Sequence, residues 1–251
     1  TSVVLENGVL ALENFNAGVA GGELSGRLRL DTGPKPPQWE VHADVRGVAI
    51  EQWFKFQTKS LSGHPVTGRV RADIDVKGQG RSTAELLGSM NGPLHVQLDK
   101  GSISHLLTEA TGLDIAQGLG ILLRGDKNLE LNCARVDGSF KAGVLRPRSA
   151  VVDNRDSRID IDGRVNLSDE TLDLRLVARP KDFSLLTLRS PVRVQGTLGD
   201  PRVALEGKAI GGKAIAAIAL GALAPPAALL AFVDPGEDLP PVSCDSPAPA
   251  P

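Results

Sequence analysis

The sequence has no tyrosine, two tryptophans and six phenylalanines among its 251 residues. Modules that stack nucleic-acid bases on aromatic rings have little to build from here. A block of charge of one sign is also missing. The 28 basic and 30 acidic side chains give a net charge of -2 and are scattered along the chain. That excludes a polybasic arm for nucleic acid and an acidic tail for a basic partner. The two cysteines, Cys133 and Cys244, are too few and too far apart for a thiolate metal set. The four histidines, His42, His64, His95 and His105, show no metal spacing, and no Gly-x-Ser-x-Gly elbow is present. His42 and His95 fall on the polar side of their strands. The expectation is a non-enzyme with no cofactor, no metal and no nucleic-acid partner.

Long uncharged runs are scarce too. Residues 214–233 form such a run, about 20 residues long, the length a membrane helix needs. Pro225-Pro226 breaks its hydrogen-bond ladder, and alanine and glycine keep it weakly hydrophobic. Two short helices, packed on a sheet or at a membrane surface, are expected rather than a span. The chain opens on Thr1 and goes straight into strand-like Val3-Val4-Leu5, so it is read as the C-terminal piece of a longer protein. The expected division is a β region over 1–206, a helical tail over 207–233 and a Pro-rich extension over 234–251.

What the chain does have is alternation. From Ile159 the text runs Ile-Asp-Ile-Asp-Gly-Arg-Val-Asn-Leu, a polar turn at Ser168–Thr171, then Leu172-Asp173-Leu174-Arg175-Leu176. Apolar residues on every second position make one oily and one charged face per strand, and the short turn suits a hairpin. Val192 and Val194 continue the pattern; Val70, Ala72, Ile74 and Val76, and then Leu94, Val96 and Leu98, repeat it earlier. Further strands are expected at residues 8–12, 22–30, 39–45, 129–136 and 139–145. The Pro-rich segment from Gly33 to Pro37 must be a turn. Residues 50–56 read as a short amphipathic helix anchored by Trp53, Phe54 and Phe56. Ser82 with Glu85 reads as a capping box, and Asp99-Lys100-Gly101 as a turn ahead of a helical stretch over residues 104–123. The order is not a βαβ alternation, so the fold class is mainly antiparallel β with a few covering helices.

An oily sheet face must be covered by a second sheet, by helices or by lipid. Val70, Ala72, Ile74, Val76, Leu94, Val96, Leu98, Ile159, Ile161, Val165, Leu167, Leu172, Leu174, Leu176, Val192 and Val194 are expected to share one aliphatic wall. A sealed core and an open groove give the same alternation, so the pattern does not choose between them.

Three motifs resemble sites and fail. Gly207 to Lys213 has phosphate-loop spacing but lacks the following Ser or Thr and a parallel sheet. Gly78-Gln79-Gly80 has two glycines of a dinucleotide fingerprint, with Thr83 in the third place, and reads as a turn plus N-cap. Asp160, Asp162, Gly163 and Asp169 mimic part of a calcium loop, but Arg158 holds the first ligand position and Ile159 and Ile161 alternate as a strand. Cys133 and Cys244 are read either as two reduced thiols or as a staple holding the tail, the latter implying an oxidising compartment.

Several stretches together resemble the C-terminal region of the AsmA family of Gram-negative envelope proteins. They are Leu12-Glu13-Asn14-Phe15-Asn16-Ala17 with Ala20–Gly26, Gly78–Gly92, Gly101-Ser102-Ile103-Ser104 with Gly112-Leu113-Asp114, and Ser190–Pro201. The resemblance implies an inner-membrane anchor in a preceding segment and a periplasmic body. It implies a β-sheet curled into an open groove, a half-barrel that carries phospholipid acyl chains between inner and outer membranes, with the outer membrane near the C-terminal tail. It also implies a Cys133–Cys244 disulfide and carries over no catalytic residue. The alternative is a periplasmic scaffold or assembly factor for outer-membrane proteins, with a sealed β core.

Overall fold

The computed structural model describes residues 2–53, 56–58, 61–63, 66–103, 129–155, 157–181 and 191–205, with Leu239, Val242 and Cys244. The expected helix over 104–123, the tail over 214–233, His64, His105 and the segment Gly207–Lys213 lie outside these residues.

Twelve strands form one antiparallel sheet. They are β1 (Ser2–Glu6), β2 (Val9–Val19), β3 (Gly22–Asp31), β4 (Gln38–Ala49), β7 (Val66–Gln79), β8 (Gly92–Ile103), β9 (Leu129–Lys141), β10 (Val144–Asn154), β11 (Ser157–Asn166), β12 (Thr171–Pro180), β13 (Val192–Thr197) and β14 (Pro201–Leu205). Neighbours in the sheet are neighbours in the chain except at β4–β7, where helix α1 (Ile50–Trp53) and the hairpin β5 (Phe56–Thr58)–β6 (Leu61–Gly63) intervene. The sheet is not closed into a barrel; it is an open groove with β1 and β14 at its edges.

The turns explain where the strands fall. Asn7-Gly8, Ala20-Gly21 and Ala142-Gly143 all carry positive φ at both residues, the twist that matches a two-residue hairpin. The break expected between residues 136 and 139 is absent: Asp137-Gly138 lies inside β9, and the turn comes at Ala142-Gly143. An Asp-Gly pair is a strong hairpin signal, but here Asp137 is buried against Arg135 and His95, which holds the strand straight through it. At Gly143 a side chain would strike the backbone of Gly88, so the turn needs glycine. Asp99-Lys100-Gly101 is likewise not a turn. β8 continues, and Lys100 (φ 44°) is the extra residue of a bulge opposite β7.

Residues 50–56 are helical only to Trp53, and Phe56 opens β5. Phe54 lies outside the described residues. Helix α2 (Thr83–Gly88) starts as its capping signal predicts: the Ser82 hydroxyl accepts from the Glu85 N–H at 3.2 Å. The Glu85 carboxylate reaches one residue further back than a capping box requires, to the Arg81 N–H at 2.7 Å. Beyond α2 a backbone chain ties the strand ends together. The Gly143 N–H donates to the Met90 carbonyl, and the Leu167 N–H to the Gly143 carbonyl.

Candidate functional site: an aliphatic wall across the sheet

Cross-strand partners in an antiparallel sheet point to the same face, so the register decides which side chains meet. Val70, Ala72 and Ile74 of β7 face Leu98, Val96 and Leu94 of β8. Across the sheet, Ile159, Ile161 and Val165 of β11 face Ala178, Leu176 and Leu172 of β12. Leu174 and Leu176 then face Val194 and Val192 of β13. Val76 faces Val41 of β4.

These two patches are joined by β9 and β10, which the sequence reading did not include in the wall. Leu98 faces Ala134, Val96 faces Val136, and Gly92 faces Phe140. Ala134 and Val136 face Val152 and Ala150, and Val152 faces Ile159. The wall extends the other way through Val41 and Ala43 of β4 to Leu28 of β3 and Leu12 of β2. Leu167 is the departure: it sits in the β11–β12 turn, at the sheet's end.

The wall is neither sealed nor bare. Among the sixteen expected wall residues Val76 is buried, at 4% exposure, and the others are half-buried. At the β1 edge the apolar face opens to solvent, with Val3 64% and Leu5 73% exposed.

The opposite face carries the charges, and at β9–β10 it is the more deeply covered of the two. Cys133 and Asp153, partners across β9–β10, are both fully buried there, and Asp137 and Val151 nearly so. Cys133 and Cys244 form a disulfide, 111 residues apart in sequence. Cys244 Sγ lies 3.7 Å from the Leu98 carbonyl oxygen and 3.9 Å from that of Ala134. Cys244 is thus pinned to the charged face and not into the aliphatic wall. Asp153 pairs with Lys181 at 2.8 Å, and Asp137 with Arg135 at 3.0 Å and His95 at 2.8 Å. These buried carboxylates are structural ion pairs. Asp173 is half-buried, and hydrogen bonds from Arg193 and then Gln195 hold its carboxyl below the ordinary aspartate range.

The family profile described as "AsmA family" matches residues 1–150, more than half of the chain. The chain belongs to the AsmA family. A relative, the AsmA family protein YhjG of Escherichia coli (strain K12), is 30% identical over 241 residues, covering 94% of this chain and 34% of the relative. This chain therefore spans about a third of that AsmA protein's length. No solved structure matches it. Among the described residues no helix is long and apolar enough to cross a membrane, which says nothing of strands.

Proposed function

We propose that this chain is the C-terminal part of an inner-membrane-anchored periplasmic protein, and that its apolar groove carries phospholipid between inner and outer membranes. It is a binding and transfer module rather than an enzyme. The observation that carries the reading is the half-exposed aliphatic wall, continuous in register from β2 to β13. An acyl chain offers no hydrogen bonds and gains about 0.8 kcal/mol per buried methylene, so it asks only for such a wall. Membership of the AsmA family supports the reading, and the disulfide fits an oxidising compartment.

The test places charge and photo-crosslinkers on the wall. Ile74→Asp or Ile161→Arg should abolish co-purification of phospholipid, read by native mass spectrometry, while the circular dichroism of the domain survives. In an open groove the new charge still reaches water. In a sealed core the same change strands an unpaired charge and unfolds the domain. Loss of fold, together with crosslinkers at Ile74 and Ile161 that capture no lipid in cells, would establish the scaffold with a sealed core instead.

A further inference from the structure

On the charged face, β4 and β7 bring together His42, Asp44, Asp73 and Asp75. Register sets His42 opposite Asp75, and Asp44 opposite Asp73. Like charges directly opposite destabilise a sheet, and among the described residues Asp73 has no cationic partner. His95, its neighbour on β8, is turned to Asp137. Among the described residues Arg46 reaches only Asp44, at 3.8 Å, and its side chain is 72% exposed.

The two half-buried histidines on this face differ in a telling way. His95 Nδ1 stands 2.8 Å from Asp137, a hydrogen bond. His42 Nε2 stands 3.5 Å from Asp44 Oδ2, and its Nδ1 stands 3.6 Å from Asp75 Oδ2. Nδ1 is shielded from solvent and has no hydrogen-bond partner among the described residues. These separations are too long for hydrogen bonds. The Nε2–Asp44 separation is close to the spacing of two donors on one tetrahedral ion, since bonds of about 2.0–2.1 Å set neighbouring ligand atoms about 3.3–3.4 Å apart; Nδ1 and Asp75, on the other side of the ring, lie outside that set. His42, Asp44 and Asp73 offer ligand atoms that all lie within 4.8 Å of one another.

We propose that His42, Asp44 and Asp73 bind a divalent cation of the zinc class, with a fourth position left to water. An imidazole nitrogen among the donors points away from magnesium and calcium, which take oxygen. Two carboxylates neutralise the ion's charge, and the ion removes the repulsion between Asp44 and Asp73. It also clasps β4 to β7, the neighbouring strands whose connection leaves the sheet through α1, β5 and β6. The site is on the face opposite the wall and is independent of lipid carriage.

Chelator-stripped full chain without an affinity tag is titrated with zinc by calorimetry, and with cobalt by its visible absorption. One zinc per chain is expected, with a rise in thermal midpoint. His42→Ala and Asp73→Asn should weaken binding at least as much as loss of an outer-shell partner does, about 10- to 100-fold, while His95→Ala binds as the parent does. Asp73→Asn should stabilise the metal-free protein by relieving the carboxylate pair, yet lose the zinc-dependent rise, a reversal of sign that a merely structural Asp73 would not give. Zinc binding unchanged in His42→Ala and Asp73→Asn, absence of the zinc-dependent rise in the parent, or calcium displacing the zinc would overturn the proposal.

Discussion

Asp173 shows how one side chain on the charged face is tuned by its hydrogen bonds. It lies on β12 opposite Gln195, and the Arg193 guanidinium reaches it from two residues along β13. Both bonds favour the carboxylate, so its folded pKa is depressed, Arg193 contributing most. The contribution to stability is present above the unfolded value, near 3.9, and is lost as pH falls through the lower folded value. Following the Asp173 carboxyl by NMR should show Arg193→Ala moving its pKa up toward the ordinary value by more than Gln195→Ala does. At the same scale Gly143 is fixed by the backbone: positive φ and the nearby Gly88 leave no room for a Cβ.

At the scale of elements, β9 and β10 decide the most. One face of this pair completes the aliphatic wall; the other holds Cys133, Asp137 and Asp153 out of water. β10 was legible only in part, because Arg146, Pro147 and Arg148 interrupt its alternation and a bulge between Pro147 and Ser149 absorbs them. Asp153 is fully buried, and Lys181, just past β12, both pairs with it and donates to the Asn154 carbonyl. Lys181→Met should therefore strand a buried carboxylate and cost about 3–5 kcal/mol in urea unfolding. Adding Asp153→Leu should recover most of that loss, because an apolar pair removes both desolvated charges. A single-variant loss that the double variant does not recover would place the cost in packing instead.

For the whole molecule the disulfide matters most. It joins the middle of the sheet to a residue near the C-terminus, closing a loop with a sequence separation of 111. In the chain-entropy account such a closure stabilises by up to about 4–5 kcal/mol, and by less if the unfolded chain is compact. Reduction, or Cys133→Ser with Cys244→Ser, should lower the urea midpoint accordingly; with no third cysteine in the chain, no exchanged bond can compensate. An unchanged midpoint would mean that the bond adds nothing to the stability of the fold.

Alternation by itself determined the antiparallel strands, the two faces of each, and most wall positions, because the period of two is a local property of an extended backbone. The Ser82 cap was legible for the same reason: short-range chemistry fixes it. Asp137-Gly138 was misread because its local signal for a turn lost to burial and to partners on β8 and β9 itself. Register was beyond local reading. It placed Asp44 opposite Asp73 and set the Ala134–Val152 bridge between the two halves of the wall. Each of these pairs residues on different strands, and only the tertiary structure decides which strand lies beside which.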